Sequence, residues 1–490
     1  MMEQEKEKIL SNVFIPAGGD KLKLCDIHFT ESIEKIIPRT ERLFEWDEIK
    51  DIHQIKKLRD EFPLSKGEST VYDGAFLIAV PGGIDPHVHF NTPGFEYRDT
   101  FSEASFAAVW GGVTTVIDMP CTSIPPVTKV ENFNKKLEAV SGTSYADYAF
   151  WGGVPGNDFN ERGTADNIFG LAGAGVAAFK AYFISGMDTF RDLTIEEMKI
   201  AALTVKGANK ILAVHAEDRE MILNEGRLAG AGEMKQWETY CRMRSTGAEV
   251  KAVENMISIS KETGCRIHIV HLSSGAALNL ISEARSKGVQ ITAETCPHYL
   301  YFTQDSFRNK SIRNYLKTAP PVKTEEDREA LWEGLANGTL DFVSTDHAGC
   351  NPEREKSSSD FSEVYGGIPG VEHRVPFILS EGFLKRRITL EQAVNILSSN
   401  AARIFGLKEK GFIKEGYDAD IILADARTTE MISASDMHSK GKYTPFEGVR
   451  LGVSVRKTFL RGNLIIDKNS ASVNTMNNPK RNCIGRFIYV

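Results

Sequence analysis

Close pairs of cysteine are missing from this 490-residue sequence, whose seven cysteines are scattered and odd in number. That spacing excludes a disulfide-stapled scaffold, and the expectation is a reducing, cytoplasmic setting. Runs of about 18 apolar residues are missing too, and "MMEQEKEKIL" lacks the apolar core of a signal peptide, so no membrane partner is expected. Basic residues are not in excess: 59 Lys and Arg stand against 66 Asp and Glu, a net charge of -7. This balance removes the footprint that nucleic acid requires and leaves a neutral or small polar molecule as the expected partner. Repeats of solenoid length and low-complexity tracts are likewise absent.

What the sequence does have, from about residue 79, is an alternation of short apolar runs with longer segments of helical period. Candidate strands are "FLIAVPGGIDPHVHF", "GVTTVIDM", "ADYAFWGGV", "GVAAFKAYF", "KILAVHAE", "RIHIVHLS", "VQITAET" and "DFVSTDHA". Between them lie helix candidates such as "TFSEASFAAVWG" and "AEVKAVENMISISKETG", most ending at a glycine suited to a C-cap. Eight such units predict an α/β fold, a (β/α)8 TIM barrel over 79–409. A doubly wound open sheet is the alternative that periodicity leaves open.

The flanks, 1–78 and 410–470, carry short β-like pieces without helices between them. They are expected to form one small β-sandwich from both chain ends. The charged stretch at about 39–66 has roughly helical period and reads as an insertion on that unit; residues 471–490 read as a tail or a subunit-contact arm.

In "GGIDPHVHF", His87 and His89 stand two apart on a strand, so both imidazoles face one side. Lys180, His215, His271 and Asp346 each stand where an apolar run gives way to a polar loop. The C-terminal strand ends are where a barrel builds its active site, so all six residues are expected at one mouth. Four imidazoles and a carboxylate exceed one tetrahedral ion with an open position, and two divalent ions, zinc by preference, fit better. Ions about 3.5–4 Å apart need a bridging anion, yet the fourth strand ends in Lys180 rather than an acid. Desolvation lowers a lysine pKa, and a neutral amine can add carbon dioxide to give a carbamate that bridges like a carboxylate.

The remaining histidines are expected in lesser roles. His268 has opposite strand parity to His271 and is expected against an outer helix. His298 and His347 are expected to support ligands near the mouth, where Cys296 and Cys350 also lie, and His28, His53 and His438 to be solvated.

The segments "PGGIDPHVHFNTPGFEYRDTFSEASFAAVWGGVTTVIDMP", "FKAYF", "VHAED", "VHLSS", "ETCPHYL", "APPVK", "STDHAGCNPE" and "GGIPGVEH" together resemble the cyclic amidohydrolases: dihydroorotase, allantoinase, and hydantoinase or dihydropyrimidinase. The resemblance runs from about residue 76 to 465. It implies a binuclear zinc site with one metal on His87, His89, carboxylated Lys180 and Asp346, and the other on Lys180, His215 and His271. It further implies attack of a metal-bridging hydroxide on the ring carbonyl, with Asp346 moving the proton to the leaving nitrogen. Main-chain groups at Ala319 and Gly367 would hold the substrate's amide edge, and a homodimer or homotetramer is expected.

Within that group the markers divide. "PGFEYRDT" and "GIPGVE" look like dihydroorotase, but Asn91 stands where dihydroorotases carry a carboxylate-binding arginine, and "DHAGC" replaces their "DHAPH". An asparagine amide suits an amide or ureide and offers no bidentate charge pairing. "HVHFNTPG", "FKAYF", "APPVK", "DHAGCNPE", "MPCTSIPP" and "TPFEGVRLGVSVRKTFLRG" are closer to allantoinase. The expected substrate is therefore a cyclic ureide, with dihydroorotate and then hydantoin or dihydropyrimidine as alternatives. A non-catalytic interaction paralogue is a different class, disfavoured because all six ligand positions are filled.

Overall fold

The structure is a computed structural model that describes residues 6–65, 69–470 and 483–490. Eight parallel strands form the barrel: Gly83–His89, Val113–Asp118, Asp147–Phe150 with Gly152–Gly153, Phe179–Tyr182, Ile211–His215, Arg266–Ile269, Ile291–Thr295 and Phe342–Val343. Each pairs with the next, and the link between third and fourth runs through Gly152 opposite Phe179. Closure occurs at the eighth strand. Phe342 pairs with Glu294 of the seventh, while His347, just beyond, pairs with Val88 of the first.

Helices lie outside because their apolar stripes need cover. The helix Phe101–Trp110 starts at Thr100, which closes a capping box with Glu103, and its buried face includes Phe101, Ala104, Ala107 and Ala108. The helix Thr246–Thr263 stops at Gly264, whose φ of 68° suits a residue without Cβ. Inside the barrel, Ile84, Ile117, Ala149, Ala213, Val270 and Phe342 share one cluster. Their neighbours along the strands, such as Val116, Phe150, Leu212 and Ile269, pack against the helices.

Strands from both flanks hydrogen-bond in one eight-stranded sheet, in which Ile421–Asp425 pairs antiparallel with Ile78–Pro81. Three strands separate Lys21–Phe29 from Ser454–Leu460 in that sheet, yet the rings of Phe29 and Phe459 meet at 5.7 Å. The sheet therefore curls on itself into a small sandwich around Leu10, Val13, Ile27, Phe29, Leu423 and Phe459. The charged stretch after residue 39 differs from the helical reading. Residues up to Glu45 continue the strand Ile33–Glu45, and helix begins only at Trp46. Pairing of Leu43 and Phe44 with Lys23 and Leu22 overrides the local period.

The end of the chain returns to the barrel. Tyr148 of the third strand donates its N–H to Arg486 O at 3.0 Å and accepts from Ile488 N–H at 2.7 Å. Phe487 packs among Phe133, Tyr148 and Phe150. Residues 471–482 of the expected tail lie outside the described residues. Among the described residues no helix is long and apolar enough to cross a membrane.

Candidate active site

His87 and His89 close the first strand, and their Nε2 atoms each lie 3.1 Å from Asp346 Oδ1. His215 is the last residue of the fifth strand, and its Nδ1 faces His271 Nε2 at 3.0 Å. His87 and His271 have ring centroids 5.5 Å apart, so the two groups adjoin at one mouth. Asp346 and His271 have φ of 49° and 39°, left-handed backbone that costs about 1 kcal/mol or more for a residue with Cβ. Those turns carry both side chains out of strand alternation and into the lining of the cavity at the mouth.

Lys180 is fully buried on the fourth strand. Its ammonium donates to Ala181 O at 3.1 Å and lies 3.7 Å from the centroid of the Tyr182 ring. Burial pulls its pKa down to about 7, against the opposing pull of Cys121, Asp346 and Glu294. Burial would raise the Asp346 carboxyl, but the rings of His87 and His89 outweigh it and hold it well below the usual range. His271 is pushed well below the usual imidazole value, burial being the largest cause.

Two buried carboxylates stand behind the histidines. Glu294 accepts from His87 Nδ1 and lies 3.2 Å from His268 Nε2. Glu217 accepts from His215 Nε2 at 2.8 Å and pairs with Arg244. Burial opposes ionisation of Glu217, yet Arg244 and then His215 bring it to about 2. Such pairs fix the tautomer and aim the free ring nitrogen into the site. Two imidazole nitrogens facing each other at 3.0 Å, a partnerless buried His271 Nδ1, and two further ring nitrogens converging on a carboxylate are a donor set suited to divalent ions. Asp147, Asp418 and Asp420 also cluster, but Lys410 reaches all three within 2.8 Å and satisfies them.

The mouth opens into a cavity of about 470 Å³ lined by His87, His89, His215, His271 and Asp346, with Ala319, Cys121, Tyr182, Tyr240 and Arg244 among its walls. Asn91 and Gly367 do not line it. Asn91, at φ 54°, turns inward and donates to Gly349 O at 3.3 Å. Gly367 donates to Lys317 O and accepts from Tyr443 OH, and its neighbour Gly366 takes the wall position. His268 differs from expectation as well. It points into the barrel, stacked on Phe342, because the sixth strand ends at Ile269 and alternation does not carry through to His271. His347 is held by Val371 N–H at 3.2 Å, and His298 is buried beside Tyr299; neither lines the cavity. His438 is half-buried against Trp110 and Glu372 rather than solvated. Cys121, not Cys296 or Cys350, reaches the cavity, with Sγ 3.1 Å from Tyr182 OH.

Sequence reasoning missed Glu217, Glu294, Cys121, Tyr182 and Arg244. The available signals were an acid two residues after His215, and an acid inside the otherwise apolar "VQITAET".

A closed parallel barrel with four imidazoles and a carboxylate at one mouth, joined to a sheet from both chain ends, defines a barrel hydrolase. The chain belongs to the amidohydrolase family, whose profile matches residues 78–465. It is similar to the allantoinase of Rubrobacter xylanophilus, 36% identical over 82% of this chain and 87% of the relative. The allantoinase of Deinococcus radiodurans is 33% identical over 84% and 89%. Among solved structures, the L-hydantoinase (dihydropyrimidinase) of Arthrobacter aurescens superposes with a TM-score of 0.84 at 27% identity, over 94% and 96% of the two chains.

Proposed function

We propose that the chain hydrolyses an amide bond in the ring of a neutral cyclic ureide, with allantoin as the substrate. The carrying observation is the cavity wall. Its cations are engaged within the protein, Arg244 by Glu217 and Lys317 by main-chain carbonyls, which leaves a polar pocket suited to an uncharged ring rather than a carboxylate. The allantoinase relatives support the same choice. The hydantoinase resemblance of the fold favours hydantoin as the second reading.

In this reading His87, His89, Asp346 and carboxylated Lys180 would hold one divalent ion, and carboxylated Lys180, His215 and His271 the other, zinc being the preferred metal. Bound ions of this kind supply Lewis acidity and lower the pKa of water. Lys180, kept near neutrality by its apolar setting, adds carbon dioxide with loss of one proton, and the resulting negative carbamate balances cationic charge. Asp346, ionised at neutral pH, accepts a proton at Oδ and returns it to the leaving ring nitrogen. Glu294 and Glu217 orient His87 and His215. A homodimer or homotetramer in a reducing, cytoplasmic setting goes with the reading, and sedimentation of the purified protein checks the assembly.

The test is a parallel assay of zinc-loaded protein on allantoin, hydantoin, dihydrouracil and dihydroorotate. Preferred turnover of allantoin is expected, and turnover of dihydroorotate alone overturns the assignment. Protein that takes up no zinc, cobalt or manganese would point to an interaction paralogue. Glu294→Gln removes the negative charge behind His87 and is expected to weaken metal affinity about 10- to 100-fold. Competition with a chromophoric chelator measures it; unchanged affinity would remove Glu294 from the positioning role.

A further inference from the structure

One wall of the cavity is Lys317, Thr318 and Ala319, and another is Ser362, Val364, Tyr365 and Gly366. We propose that Lys317 is a positioning residue that clasps these two walls together and so sets the width of the substrate cavity. Its Nζ donates to Phe361 O at 2.5 Å and Ser362 O at 3.3 Å. Its own carbonyl accepts Gly367 N–H at 2.9 Å, so one residue holds both ends of the 361–367 stretch. The ammonium lies 4.9 Å from the ring centroids of Tyr240 and of Phe361, and Tyr240 OH donates to Thr318 O at 3.0 Å.

Lys317 is 5% exposed, and its hydrogen-bond partners are carbonyls rather than a carboxylate. Holding a cation there costs stability that a methionine of similar length would not. Geometry is what the charge supplies: two carbonyls fixed at one point. The stretch has other ties, since Lys356 Nζ donates to Tyr365 O at 2.7 Å and Asp360 lies 3.3 Å from Lys235. Loss of Lys317 therefore loosens the wall without releasing it.

The titratable groups facing the amine are Tyr240 and Arg244, in and after the helix Trp237–Met243, Asp360 just before the clasped stretch, and Lys356, which interacts with it electrostatically. Burial is the largest influence, Arg244 adds to it, Asp360 opposes it, and the pKa comes down to about 8. The proton is held below that pH and lost above it, so the clasp weakens as pH rises through about 8. The role in substrate binding rests on the reading of this cavity as the site of ring opening, while the clasp itself does not.

The test uses full-length, metal-loaded wild type, Lys317→Met and Lys317→Arg. Steady-state kinetics are run on allantoin and hydantoin, and hydrogen exchange is followed at the 361–367 amides. Lys317→Met is expected to raise KM about tenfold with kcat within about twofold, and to speed exchange at 361–367 relative to intrinsic rates. Lys317→Arg recovers most of both. Wild-type KM climbs above about pH 8 and that climb is absent in Lys317→Met. Unchanged KM and unchanged exchange overturn the proposal, as does a fall in kcat that tracks metal loss. If neither ureide is turned over, the functional reading fails while hydrogen exchange still decides the clasp. Should Lys317→Met not fold, Lys317→Gln takes its place with the same readouts, and no acceleration of exchange at 361–367 counts against the clasp.

Discussion

Lys180→Ala is expected to lose turnover on the order of a thousandfold, about 4 kcal/mol of transition-state stabilisation, and to regain part of it when formate or acetate is added. The lysine stands on a strand whose neighbours Phe179, Ala181 and Tyr182 are all buried. Its pKa of about 7 comes mainly from that burial, so a substantial neutral fraction is present at physiological pH. An alkylammonium would repel divalent ions brought to the adjoining imidazoles; a carbamate would draw them in. Truncation to Ala leaves a space beside Tyr182 that a small carboxylate can enter, which is why added acid restores activity. Metal content by mass spectrometry and turnover are measured together. A variant that keeps both ions and full activity without added acid would remove Lys180 from the metal site.

Asp346→Asn is expected to reduce kcat by about 10²- to 10⁴-fold, the range of a lost general acid–base. The asparagine keeps an oxygen near the His87 and His89 Nε2 atoms, now 3.1 Å from Asp346 Oδ1, but it cannot take up a proton. Because His87 and His89 hold the carboxyl well below the usual range, the wild-type aspartate is ionised throughout the neutral region and available as a base. Retention of bound metal by the variant, read beside kcat, separates proton transfer from ligation; activity within tenfold of wild type would show that another group carries the proton.

Much of the barrel was legible in the sequence because its signals are local. Period-two apolar runs, helical stripes and the glycine at the end of Thr246–Thr263 are readable within a dozen residues. His215, His271 and Asp346 could be picked out by a change from apolar to polar at the end of a run, His87 and His89 as a pair two apart on one strand, and Lys180 as a charge in an apolar run. Alternation failed where the backbone departed from a strand: His268 faces inward because His271 lies beyond the strand's end at a positive φ. The helical reading after residue 39 failed because a long-range pairing with Lys21–Phe29 outweighed local period.

The sequence by itself determined the order of strands and helices and singled out five polar residues that line the mouth, together with the buried Lys180, since each depends on near neighbours along the chain. Only the tertiary structure decided what stands behind and beside them. Glu294 meets His87 across 207 residues because barrel closure brings the seventh strand close to the first. Asn91 and Gly367 turn from the cavity, and Cys121 and Arg244 enter it, through turns whose direction is set by packing. Side-chain pairing across a closed barrel is a property of distances in space, and no period along the chain encodes it.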